Sequence, residues 1–85
     1  MLFRSLGWAY YQQGIYNAAI EALQEAVKGN PNNATYHYHL GMAYQKANNH
    51  PMAKKEFARA LQINPKLSQA EGIKDLNGGS QTVDK

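Results

Sequence analysis

Histidine is the side chain in this sequence best suited to binding a metal ion, and its three copies are poorly spaced for that role. His37 and His39 lie two residues apart, so on a helix their side chains point about 200° away from each other and cannot share an ion. A helical zinc pair needs a spacing of three or four residues. His50 falls in a predicted turn, with no Asp or Glu close to it in sequence. We therefore predict no metal site and no cofactor, and we interpret His37 as a packing residue between helices.

Catalytic groups are equally hard to assemble. Glu21 and Glu25 form a carboxylate pair, but their spacing places them on the outer, hydrated face of a predicted helix, where nothing tunes them for acid–base chemistry. The sequence contains no cysteine, which removes thiol nucleophiles and thiolate metal sites. No serine, histidine and carboxylate can be grouped into a nucleophilic set. We predict that this chain is not an enzyme.

The charged residues give a net charge of +3, from nine basic and six acidic side chains. One short basic cluster contains Lys54, Lys55 and Arg59, but Glu56 interrupts it and no aromatic side chain is interleaved. A nucleic-acid binder would carry a denser basic stripe. We interpret the cluster as a hydrated outer helix face. The alternative, weak nucleic-acid binding, predicts retention on heparin that falls steeply with salt.

The elements that carry these side chains are set by an internal repeat. The stretch Leu6-Gly7-Trp8-Ala9-Tyr10 recurs as Leu40-Gly41-Met42-Ala43-Tyr44, at an offset of 34 residues. The same offset relates further pairs, namely Ala19 and Ala53, Leu23 and Phe57, Ala26 and Ala60, and the Asn-Pro pairs at 30–31 and 64–65. A period of this length indicates stacked supersecondary units. Small residues kept in register with large ones indicate close helix packing.

This pattern resembles the tetratricopeptide repeat family, whose unit is a helix pair closed by a proline. One set of its positions is filled by Phe3, Leu6, Gly7, Tyr10, Ala19, Leu23, Ala26 and Pro31, and the next by His37, Leu40, Gly41, Tyr44, Ala53, Phe57, Ala60 and Pro65. The departures are Phe3 and His37, where the family favours Trp, and Leu23, where it favours a larger aromatic. The resemblance implies an all-α, right-handed helix-turn-helix solenoid with about five helices.

The predicted domain occupies residues 1–77 and ends in a disordered tail at 78–85. Repeat 1 covers about 1–31, repeat 2 about 32–65, and a capping helix about 66–77. Helices are expected at 2–13, 16–28, 34–47, 51–63 and 67–77, separated by Gly, Asn and Pro residues that end or cap them. Because no cap precedes the first helix, we expect the natural chain to continue upstream.

The resemblance also implies a binding surface, because the first helices of successive repeats line the concave face of such solenoids and commonly hold a peptide. On that face we place Trp8, Tyr11, Gln12, Thr35, Tyr38, His39, Met42, Gln45 and Lys46. The alternative is that Trp8 and Tyr11 simply pack against the next repeat. Some family members grip a ligand's C-terminal carboxylate with Lys and Asn, but here two of the Asn positions hold Trp8 and Met42. We therefore expect a peptide with apolar side chains, bound with weak salt dependence.

The expected partner is another protein or a peptide segment, which makes the chain an interaction module or scaffold. The alternative is a purely structural terminal segment of a longer repeat array. The outer side of the first helix, with Leu2, Leu6 and Tyr10, has no preceding helix to cover it, so self-association there is a further expectation. The sequence contains no apolar run long enough to span a membrane, and localisation stays open.

Overall fold

The computed structural model describes residues 2–69, which form four α-helices and one short 3₁₀ turn. The elements are α1 (Leu2–Gln13), α2 (Tyr16–Gly29), α3 (Ala34–Lys46), α4 (His50–Ile63) and the 3₁₀ turn Pro65–Gln69. The predicted all-α helical repeat is confirmed. The fifth helix was predicted from Leu67. Residues 65–69 instead form the 3₁₀ turn, while the rest of that helix and the tail at 78–85 lie outside the described residues.

Both helix pairs turn at the same point of the repeat. Gly14 follows α1 with φ of 84°, and Asn48, which stands 34 residues later, follows α3 with φ of 66°. These are left-handed conformations, which glycine adopts without steric cost and asparagine tolerates better than most residues. The shared geometry explains why two different residues at one repeat position end their helices in the same way.

The first turns of α3 and α4 contain residues that compensate for the backbone N–H groups left unpaired at a helix start. The side chain of Asn33 caps α3, because its Oδ1 accepts a hydrogen bond of 3.2 Å from the Tyr36 N–H. His50 is the first residue of α4 rather than part of the preceding turn, so Pro51 occupies the second position instead of the predicted first. The missing N–H of Pro51 has no cost there, since the first turn of a helix leaves its N–H groups unpaired.

Each helix pair is held together by a glycine that meets a large side chain. A Cβ atom added at Gly7 would lie 2.6 Å from Leu23 Cγ, and one at Gly41 would lie 2.6 Å from Phe57 Cε1. Real Cβ atoms do not approach other heavy atoms so closely. The predicted close approach at both glycines is therefore present, and it brings α1 onto α2 and α3 onto α4.

The core is continuous across both repeats. Its fully or nearly fully buried apolar residues are Ala19, Ala22, Leu23, Ala26, Tyr36, Leu40, Ala43, Tyr44, Ala53, Phe57 and Ala60. α2 joins the two halves, because Gln24 Nε2 donates a hydrogen bond of 2.8 Å to the hydroxyl of Tyr44 on α3. The core thus holds α3 against both α2 and α4, and this arrangement sets where the outward-facing side chains of α1 and α3 lie.

The interpretation of His37 as a packing residue is confirmed, with polar partners that the sequence did not reveal. The ring is buried between α3 and α4. Its Nε2–H donates to the carbonyl of Pro31 at 2.7 Å, and its Nδ1 lies 2.8 Å from Glu56 Oε1. Glu56, which in the sequence only interrupts the basic cluster, has a side chain that is just 13% exposed. Glu56 points inward to satisfy the buried imidazole, since a buried polar group without a partner is costly.

Removing this carboxylate should destabilise the domain. We expect Glu56→Ala to lower the free energy of unfolding by about 1–3 kcal/mol, because His37 Nδ1 would stay buried without its partner. The control is Glu25→Ala, which removes an exposed carboxylate 3.4 Å from Lys28 Nζ. A pair of that kind contributes about 0–1 kcal/mol. Urea unfolding of both variants checks the difference, and equal losses would mean that the contact to His37 adds nothing.

Candidate functional site

The candidate surface lies on the outward sides of α1 and α3, the first helices of the two repeats. We call it the aromatic face, and it consists of Trp8, Tyr11, Gln12, Thr35, Tyr38, His39, Met42, Gln45 and Lys46. The described structure leaves Gln12, Thr35 and Lys46 exposed and the other six residues half-buried. None of the nine is fully buried, so all of them keep some surface that a partner can contact.

A stack of rings connects the two helices of this face. The Trp8 ring lies parallel to that of Tyr11, with centroids 4.8 Å apart and planes 4° apart. It is also stacked on His39 of α3, at 4.2 Å and 19°. The indole thus stacks on one ring of its own helix and on one ring of α3. Trp8 therefore links the first repeat to the second.

Further rings extend the stack at both ends. Tyr16, the first residue of α2, packs edge-on against Tyr11 with centroids 5.6 Å apart. Tyr38 lies 5.7 Å from His39 and 5.9 Å from the buried Phe57. Tyr16 was not predicted for this surface because it belongs to the second helix, on the far side of the turn after α1. Its position could have been predicted from the glycine between Tyr11 and Tyr16, because a tight turn there brings two aromatic residues five positions apart into contact.

The structure gives several of these side chains a packing role as well as exposed surface. Tyr11, Tyr38 and Met42 pack against the core cluster while staying half-buried, and Trp8 stacks on a residue of the next repeat. Packing within the domain, the alternative to binding for Trp8 and Tyr11, is thus part of their role. Truncating Trp8 or Tyr38 would disturb folding contacts along with any binding, so neither substitution isolates the role of the face.

The hydroxyl of Tyr11 is kept in its protonated form. Burial raises the pKa of Tyr11, and the nearby phenols of Tyr16 and Tyr38 raise it further, because neighbouring phenolates would repel a charge there. The group therefore remains a hydrogen-bond donor over the whole neutral range. It can donate to a carbonyl or carboxylate oxygen of a partner.

This shift predicts an alkaline effect on stability. The folded protein holds the Tyr11 proton more tightly than the unfolded chain, whose tyrosine pKa is about 10. The stabilisation is therefore fully present below about pH 10 and is lost as the pH rises from there through the folded value. We expect Tyr11→Phe to have a smaller alkaline loss of unfolding free energy than the wild type. Urea unfolding at a series of alkaline pH values measures it, and identical losses would contradict the assignment.

Within residues 2–69, no three His, Cys, Asp or Glu side chains come together in a way that could hold a metal ion. None of the helices in that range combines the length and hydropathy needed to cross a bilayer.

Comparisons with known proteins match the same residues that form the two helix pairs. One family model described as TPR repeat matches residues 7–48, and one described as tetratricopeptide repeat matches residues 34–67. Tetratricopeptide repeat protein 37 of Xenopus laevis is 35% identical over an alignment of 69 residues, which covers 75% of this chain and 4% of that protein. The chain thus spans a small fraction of this relative's length.

Tetratricopeptide repeats are non-catalytic modules that generally mediate protein–protein interaction. The family matches run from residue 7 to residue 67 and include both glycine contacts and both positive-φ turns. Fold, period and family models agree, and the chain belongs to the tetratricopeptide repeat family.

Proposed function

We propose that this domain is a protein–protein interaction module that binds a peptide segment on the aromatic face, with no catalytic role. The observation that carries the proposal is the ring stack between Trp8 and His39, which joins half-exposed aromatic side chains of two repeats into one surface. Aromatic and Met side chains that stay partly exposed are the anchors that interfaces favour, because they offer large apolar area.

The ligand that suits this face has apolar side chains. Met42 adds a flexible, polarizable side chain beside the rings, and half-buried Gln45 can hydrogen-bond to a peptide backbone. Among the nine residues of the face, only Lys46 carries a fixed positive charge. We therefore expect weak salt dependence rather than a charge-driven grip on a terminal carboxylate.

The test uses two methionines in matching environments. Met42 and Met52 are both half-buried and both pack against the core cluster, but only Met42 lies on the aromatic face. A displayed random-peptide library is selected on the wild-type domain, and the enriched peptides are titrated against Met42→Ala and Met52→Ala. Both variants should lose similar stability. Only Met42→Ala should weaken binding, by about fivefold or more, as expected for an interface anchor.

Unfolding curves of both variants provide the necessary check on folding. Equal weakening of binding by both variants would mean that the effect comes from lost stability. Enriched peptides that bind both variants as tightly as the wild type would place the site elsewhere. Either result would contradict the proposal.

A second candidate, self-association, is favoured by a comparison of the two repeats. Leu6 is 41% exposed, whereas its repeat equivalent Leu40 is 2% exposed and belongs to the core cluster. Leu6 and Tyr10 border an open groove of about 420 Å³ between α1 and α2. Leu2, which was included in this surface from the sequence, has a side chain outside the described set.

A second copy of the chain would hide this exposed leucine and gain burial free energy. Sedimentation over a range of concentrations tests the idea. We expect reversible association in the wild type and weaker association in Leu6→Lys. A wild-type protein that stays monomeric at the highest concentration would contradict it.

A further inference from the structure

The helices that form the aromatic face contain no acidic residue. α1 and α3 together carry Arg4 and Lys46 and neither Asp nor Glu, whereas α2 and α4 hold all three acidic residues of the described helices. Two of these, Glu21 and Glu25, are exposed on α2. A cationic side chain that entered the aromatic face would therefore find no carboxylate on either helix to replace the water it loses.

The ring stack limits the other usual partner of a cation. Lysine and arginine bind aromatic side chains over the ring face, where the quadrupole is negative. The Trp8 indole already stacks on two rings of the protein, those of Tyr11 and His39, which leaves less of its face for a cation. Tyr11 is stacked on Trp8 and is also in a T-shaped contact with Tyr16. The rim of the indole, with its C–H and N–H groups, carries the positive side of the quadrupole.

Positive ring edges and donor groups suit oxygen acceptors. The indole N–H of Trp8 can only donate, and the phenol of Tyr11 keeps its proton and can donate as well. Exposed Gln12 and half-buried Gln45 add amide N–H groups on the same face. A peptide would meet these groups with backbone carbonyls or with side-chain carboxylates. Both are acceptors, and neither is present on the side chains of lysine or arginine.

We propose that the aromatic face selects against basic peptides and accepts peptides that are apolar at their anchors and neutral or acidic beside them. The proposal rests on peptide binding at this face and specifies its ligand class. Discrimination arises from what the face lacks, since a lysine or arginine there would find no carboxylate on α1 or α3 as partner.

The experiment compares peptides that differ in one charge. A peptide enriched from a displayed random library is made in three forms, with Glu, Gln or Lys at one position next to its apolar anchors. At low ionic strength we expect the Lys form to bind about two- to fivefold more weakly than the Glu form, the range of exposed charge interactions. The Gln form should lie between them. A Lys form that binds as tightly as the Glu form, or more tightly, would overturn the proposal.

Two neighbouring glutamines give a matched pair of variants. Gln12 and Gln13 are both exposed at the end of α1, and only Gln12 belongs to the aromatic face. Gln12→Glu should remove the preference against lysine or reverse it, while Gln13→Glu should change it less. Equal effects of the two substitutions would mean that overall charge, rather than this face, sets the preference, which would overturn the proposal.

The outcomes separate this inference from the function on which it rests. If peptides bind and Met42→Ala weakens them, the interaction site stands whatever the order of the three charged forms. In that case a reversed order overturns only the charge selection. If no peptide is enriched, or none is sensitive to Met42→Ala, the binding site itself fails and the charge selection fails with it.

Discussion

Phe57→Ala is expected to lower the free energy of unfolding by about 3–5 kcal/mol, the usual loss when a buried phenylalanine is truncated. Phe57 is 2% exposed and is one of the two largest fully buried side chains of the described structure. It fills the space beside Gly41 and packs near the Tyr38 ring, so its truncation would leave a cavity between α3 and α4. A domain of this size has little stability to spare, and the variant should be close to unfolded.

The control for this loss is a large apolar residue at the surface. Ile15 is 45% exposed in the turn between α1 and α2, so Ile15→Ala should change stability by no more than about 0.5 kcal/mol. Urea unfolding followed by circular dichroism measures both variants. A loss at Ile15 as large as that at Phe57 would mean that the helices are not packed as described.

Gly41→Leu is the second substitution with a large expected effect. Even the first carbon of a side chain at this position would lie 2.6 Å from Phe57 Cε1. Overpacking of this kind costs about 1–3 kcal/mol, and leucine adds three further carbons to a space that does not hold one. We expect the variant to lose at least that much, with a melting temperature well below that of the wild type.

Gly29 supplies the matched comparison. It is the last residue of α2, and a Cβ atom placed on it meets nothing within 4 Å. Gly29→Ala should be neutral or stabilising by up to about 1 kcal/mol, because alanine has the higher helix propensity. A double variant sharpens the assignment. Gly41→Ala should cost much less when Phe57 is already alanine, since the atoms it clashes with are then absent. Additive losses would contradict a direct contact.

The sequence predicted those parts of the fold in which the same packing constraint requires the same residue type in both repeats. Gly7 and Gly41 repeat because no side chain fits against Leu23 and Phe57, and that constraint is visible as a period. The helix bounds followed from the same repeat, since its turns carry Gly, Asn and Pro. For the four α-helices the differences at helix ends amount to one residue.

Contacts between helices that occur in only one of the two repeats could not be predicted in this way. Glu56 stands where the first repeat has Ala22, and His37 stands where it has Phe3, so the pair that joins α3 to α4 exists once and has no pattern. In the sequence Glu56 only interrupts a stretch of basic residues, which gives no sign that its side chain is buried. Only the packed helices show that a buried imidazole needs its carboxylate.

The candidate site shows the same limit. Helical spacing placed Trp8 and Tyr11 on one stripe, and the structure confirms that the two rings lie together. The spacing could not show that His39 would also stack on the indole, because that contact depends on how α1 and α3 are positioned by α2. The charge selection proposed above depends on this contact. It follows from tertiary packing rather than from the residues of either helix alone.

Amide chemical-shift mapping tests the central claim, that the α1/α3 surface is where this module holds its partner. The labelled wild-type domain is titrated with a peptide enriched from the displayed library. The account predicts that the largest shifts fall on α1 and α3, at exposed or half-buried positions of the aromatic face such as Gln12, Thr35 and Gln45. Largest shifts on the outer surface of α4, at Lys54 and Lys55, would contradict it.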